Sequence, residues 1–115
     1  MERSRELALA AAFLAASTLL GQSAIATQTT ASAEKGNEVF DEQCASCHHA
    51  YDSDRKIGPS LQFLFGKEKL QSNGKPVNDA NVLELIAKGA KGMPAFKDGL
   101  SEDDKADLLA YLRTL

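Results

Sequence analysis

Cys44-Ala45-Ser46-Cys47-His48 is a C-x-x-C-H pentapeptide, and its reading governs the rest of the chain. The chemistry lies in the spacing. Two thiols three positions apart can each add to one vinyl group of a porphyrin and form a thioether, and the next residue sets an imidazole beneath the iron. Other chemistries use similar residues. A bare C-x-x-C in an exported chain can close as a disulfide, but so small a ring stabilises little and is redox-active instead. A thioredoxin-like exchanger needs a βαβ setting, and no β-branched strand runs are present. A zinc site would draw on Cys44, Cys47, His48 and His49, and adjacent histidines behind so tight a knuckle complete a tetrahedron poorly. Covalent haem is the reading these residues favour.

A haem iron takes one or two axial ligands, so a second is sought elsewhere in the chain. Met93 is the single methionine beyond residue 1. It sits in the irregular loop Gly92-Met93-Pro94, where no helix dictates the direction of its side chain. His49 is given no role, because a neighbour of His48 cannot easily face the same iron.

The chain has 115 residues, 43% of them hydrophobic, and a formal net charge of -3. That length holds one small domain, and that apolar fraction exceeds what a disordered chain carries. The mild acidity excludes a typical nucleic-acid binder, which needs a basic face. Residues 7–20 (LALAAAFLAASTLL) carry no charge, follow Arg3 and Arg5, and lead to Ala24-Ile25-Ala26. Charged start, short apolar run and A-x-A site describe a secretory signal peptide, with cleavage expected after Ala26. Ala31-Ser32-Ala33 also matches but lies far from the apolar run. If uncleaved, residues 7–26 barely reach across a bilayer. The expected organisation is a signal at 1–26, a flexible leader at 27–33 and a folded domain at 34–115. Export places that domain in the periplasm of a bacterium. A domain of this size is marginal on apolar burial alone, so a disulfide, a metal or a cofactor is expected to help hold it.

Periodicity along residues 34–115 predicts an all-α domain. Gly36, Phe40 and Cys44 at spacing four form one stripe of a short helix over 34–44. Gly36 costs that helix about 1 kcal/mol relative to Ala, which points to close approach by another backbone. Residues 51–60 form a polar loop, and 61–65 a helical turn stopped by Gly66. Asn78 caps a helix over 79–88 that stops at Gly89. Ser101 with Asp104 resembles a capping box for a helix running to the C-terminus, with Leu108, Leu112 and Leu115 on one stripe. Three or four helices result, joined by loops that hold the unusual residues.

With these motifs in order, the chain resembles the class I monohaem c-type cytochromes over essentially all of residues 34–115. Gly36 to Phe40 matches the G-x-x-x-F/Y of the N-terminal helix, CASCH the haem-binding motif, and Gly58-Pro59-Ser60-Leu61 the G-P-x-L loop. Met93-Pro94-Ala95-Phe96 is similar to the axial methionine segment of small bacterial members, and Leu108 with Tyr111 to the L-x-x-Y/W of the C-terminal helix. The resemblance implies three to four helices wrapped around one covalent haem, with the terminal helices crossing. It implies Cys44 and Cys47 as thioether attachments, His48 and Met93 as axial ligands, and the Pro59 carbonyl as acceptor for the His48 ring. Gly36 and Phe40 would meet Leu108 and Tyr111 at the crossing.

An iron with both axial positions filled can exchange an electron and little else. The expected function is therefore one-electron carriage between redox proteins, with no catalysis required. Charge is uneven. Residues 34–54 hold Lys35 against six carboxylates, whereas residues 55–97 hold eight bases against Glu68, Asp79 and Glu84, a net +5. An acidic partner is expected to dock on that basic segment near Lys67, Lys88, Lys91 and Lys97. Two alternatives stay open. A labile Met93 would give a small-ligand sensor or weak peroxidase, and a haem-free Cys44–Cys47 pair a thiol–disulfide oxidoreductase.

Overall fold

In a computed structural model, whose described residues are 30–115, the chain forms three α-helices and one short 3₁₀ turn. The helices are α1 (Ala33–Gln43), α2 (Asp79–Lys88) and α3 (Glu102–Leu112), and the turn is Leu64–Gly66. No strand ladder forms among the described residues; two isolated bridges, Lys69 with Pro76 and Ala90 with Met93, pin loops. The all-α expectation holds. The signal segment and most of the leader lie outside the described residues. No helix among those described is long and apolar enough to cross a membrane.

Each helix starts on a side-chain cap. The Asn78 side chain accepts from the N–H of Asn81 at 2.9 Å. Ser101 and Asp104 form a complete capping box, each side chain accepting from the other's backbone N–H at 3.0 Å. Caps of this kind contribute about 1 kcal/mol. At α1 the structure corrects the expected boundary. The helix begins at Ala33, not Glu34, because Ser32 caps it, accepting from Lys35 N–H at 3.3 Å. The Ser32 N–H in turn donates to the buried Asp107 carboxylate at 2.6 Å. Ser32 and Ala33 are thus tied to α1 and α3. The other end also differs. Helix α3 stops at Leu112, and the Thr114 N–H folds back to the Tyr111 carbonyl at 2.8 Å.

Helices α1 and α3 cross at Gly36. A Cβ there would lie 1.9 Å from the Asp107 carbonyl oxygen and 2.8 Å from Tyr111 Cβ, so only hydrogen fits. This is the backbone approach that the glycine's poor helix propensity implies. One turn on, the Phe40 and Tyr111 rings meet at 5.4 Å and 55°, a geometry worth about 0.5–1.5 kcal/mol beyond area burial. Leu108 beside them is 1% exposed. The apolar turn at 61–65 is shifted: Leu64 is buried at the start of the 3₁₀ turn, while Phe63 before it takes a left-handed φ of 55° and stays exposed.

Candidate functional site

The C-x-x-C-H segment leaves the end of α1 as a tight turn. Cys44 is the C-cap, its N–H donating to the Phe40 carbonyl at 2.8 Å. The Cys44 carbonyl then accepts from both Cys47 N–H (3.0 Å) and His48 N–H (2.9 Å). Cys44, Cys47 and His48 are all half-buried and line one cavity of about 390 Å³. Its apolar wall includes Leu64, Leu70, Val82, Ile86, Leu108 and Leu112, so the cavity opens directly into the core. Arg55, Lys67, Lys69 and Lys91 line it as well.

The loop 58–61 is stitched to the motif. Gly58 N–H donates to the Cys47 carbonyl at 2.8 Å, and Leu61 N–H to the His49 carbonyl at 2.9 Å. The His48 Nδ1 lies 2.7 Å from the Pro59 carbonyl oxygen. A carbonyl only accepts, so Nδ1 carries the proton, and Nε2 is the ring nitrogen left available to a metal. Gly58 makes room for the ring, since a Cβ there would lie 2.4 Å from His48 Cε1. Sequence reasoning named Pro59 and passed over Gly58, whose role depends on this contact. It also passed over Lys56, whose Nζ donates to the Ala45 carbonyl inside the motif at 2.8 Å.

Met93 lines the same cavity and is half-buried. Its backbone exchanges two hydrogen bonds with Ala90, at 2.9 and 3.1 Å, closing a turn. The following residues hang on α2, Phe96 N–H on the Ile86 carbonyl (3.0 Å) and Lys97 N–H on that of Ala87 (3.1 Å). The Met93 backbone is thus tied on both sides of the side chain.

The donor set tests the cofactor reading. Two thiols, an imidazole whose Nδ1 is held by a carbonyl and a thioether meet in one mostly apolar cavity, and Gly58 leaves space for the imidazole where a Cβ would fill it. These residues fit haem c. The rival chemistries fit less well. Burial, followed by the nearby Cys47, pushes the Cys44 thiol up to about 11, whereas an exchanging thiol needs a depressed pKa. Among the described residues no group of three or more His, Cys, Asp or Glu can hold a metal ion, which removes the zinc site. His49 is not part of the cavity wall; its Nδ1 lies 3.6 Å from Asp52 Oδ2.

Comparison with known proteins agrees with the site. The family described as cytochrome C oxidase, cbb3-type, subunit III matches residues 31–112. Cytochrome c6 of Leptolyngbya boryana is 33% identical over 82 residues, 71% of this chain and 91% of that protein. Cytochrome c oxidase subunit 2 of Alkalihalophilus pseudofirmus is 34% identical over 89 residues, 72% of this chain but 25% of that longer protein. Among solved structures, cytochrome c6 of the diatom Phaeodactylum tricornutum superposes with a TM-score of 0.51 at 24% identity, covering 72% of this chain and 92% of that one. The chain belongs to the cytochrome c family, as a class I monohaem c-type member, and is a haem-based electron-transfer protein rather than an enzyme.

Proposed function

We propose that this chain is an exported one-electron carrier in which Cys44 and Cys47 hold haem c through thioethers and His48 and Met93 fill both axial positions. The bound haem supplies an iron that changes oxidation state by one electron. The observation that carries the reading is the shared cavity: His48, its Nδ1 held by Pro59, and Met93, held by its turn, line the same space as both thiols. Histidine and methionine together leave no position for oxygen, peroxide or substrate. A thioether is a weak donor that favours ferrous iron, and the apolar wall does the same by disfavouring the extra charge of the ferric state.

Export follows from the signal at 1–26, which directs residues 27–115 to the periplasm. The Asp107 hold on Ser32 favours cleavage after Ala26, because cleavage after Ala33 would remove the α1 cap. The partners are redox proteins, a donor and an acceptor. Docking on the basic segment is narrowed by the ion pairs. Lys75 and Lys88 both bind Glu84 at 2.6 Å, and Lys67 donates to the Ser60 carbonyl at 3.1 Å. Lys67 keeps its charge on that neutral acceptor, so Lys67, Lys91 and Lys97 carry most of the attraction for an acidic partner, while Lys88 shares Glu84 with Lys75.

Intact mass and spectroscopy test the reading together. The mature protein should weigh the chain from Thr27 onward plus one haem, survive acid extraction as a red polypeptide, and show a near-infrared thioether–iron band when oxidised. A colourless product, or a haem extracted free of protein, overturns it.

A further inference from the structure

The His48 and Met93 halves of the cavity are fixed differently. His48 follows the motif turn directly. Met93 is reached only after the chain leaves α2, and Gly89 is where it leaves. Gly89 has φ 71° and ψ -173°, a region essentially open to glycine alone; even asparagine, which accepts the left-handed helical region, is disfavoured there. Space is as restrictive as torsion. A Cβ on Gly89 would lie 2.5 Å from the Met93 carbonyl oxygen, 2.9 Å from the Ala95 nitrogen and 2.9 Å from the Pro94 carbonyl carbon. All three neighbours are backbone, so none can swing aside as a flexible side chain does.

We infer that Gly89 is the positioning residue for the axial thioether: its bare Cα lets residues 93–95 lie against the end of α2, and that contact sets Met93 in the cavity. The inference deepens the assignment of Met93 as iron ligand and rests on it. Ending a helix does not by itself require such crowding. Gly74 also has a positive φ, 70°, yet a Cβ there meets nothing within 4 Å. Gly89 differs by having the ligand-bearing backbone packed on it. The bonds from Phe96 and Lys97 to the Ile86 and Ala87 carbonyls use acceptors that a helix end leaves unpaired. They lock the segment behind Met93, so an added methyl cannot be absorbed there and displaces the Met93 turn.

The test compares oxidised wild type, Gly89→Ala and Gly74→Ala as covalently loaded proteins, by near-infrared absorption, reduction potential and carbon monoxide binding to the ferrous form. Gly89→Ala should lose the thioether–iron band, drop in potential and bind carbon monoxide rapidly. Gly74→Ala, also at a positive φ but without crowding, should match wild type in all three. Retention of the band in Gly89→Ala, or its equal loss in Gly74→Ala, overturns the inference. A wild type that lacks the band removes the Met93 assignment and the inference with it. Should Gly89→Ala yield no red protein, one glycine inserted between Gly89 and Ala90 shifts the same register without adding a Cβ. It should also abolish the band, and a retained band there counts against the inference.

Discussion

The carboxylate of Asp107 on α3 accepts the backbone N–H of Ser32 at 2.6 Å, joining positions 75 residues apart in sequence. Asp107 is 8% exposed and sits at the start of α1, where a negative charge meets the positive end of the helix dipole. Replacing it with Ala leaves a part-buried N–H without its partner. Asp107→Ala should cost about 1–3 kcal/mol in denaturant unfolding, and Asp107→Asn less, since the amide oxygen still accepts. Equal stability of Asp107→Ala and wild type would remove this tie from the account.

Gly36→Ala tests the helix crossing. Propensity alone favours alanine by about 1 kcal/mol, but the new methyl meets the Asp107 carbonyl. Overpacking against backbone should win, with a net loss of about 1–3 kcal/mol measured by urea midpoint. A stabilised variant would show that the helices can separate freely.

Phe63→Gly should run the other way. The ring is 65% exposed, so little burial is lost, while φ is 55°. Left-handed backbone costs an ordinary residue about 1–2 kcal/mol, partly offset by the extra freedom of glycine in the unfolded chain. A gain of up to about 1 kcal/mol is expected in thermal unfolding.

Gly58→Ala addresses the His48 ring. The added Cβ would lie against Cε1 and push the imidazole off the Pro59 carbonyl. Covalent loading in cells should fall, and the protein that is loaded should show a shifted potential and weakened axial histidine signals by NMR. Unchanged loading and an unchanged potential would place the ring elsewhere.

Acid stability should carry a contribution from Glu84. Hydrogen bonds from Lys75 and Lys88 hold its carboxyl down at about 2, below the ordinary value near 4.3. A folded pKa lower than the unfolded one stabilises above the unfolded value and is lost as pH falls toward the folded one. Urea midpoints should therefore decline from about pH 4.5 toward pH 2, and Glu84→Gln should flatten that limb. Because the group is exposed, the slope should weaken in high salt.

Much of this was legible in the sequence because it is encoded at short range. The C-x-x-C-H turn, the Asn78 cap, the Ser101–Asp104 box and the Gly89 stop each need residues within a few positions of one another. Met93 is singled out for a different reason, scarcity, since residues 34–115 hold no other methionine. Long-range features were not legible. Ser32 reads as one more small polar residue until Asp107 is brought to it. The sharing of Glu84 by Lys75 and Lys88 is likewise invisible to a count along the chain, which gives the net charge but not where it sits. Gly58 and Gly89 look like loop punctuation, and their meaning lies in the ring and the backbone that press on them.

The cavity is walled by the same leucines that make up the core, and this bears on the life of the chain before assembly. A guest that fills that space is part of the architecture, so the polypeptide without it would have less apolar surface to fold around. Loading and folding should therefore be coupled, the vacant chain unfolding at lower denaturant than the filled one.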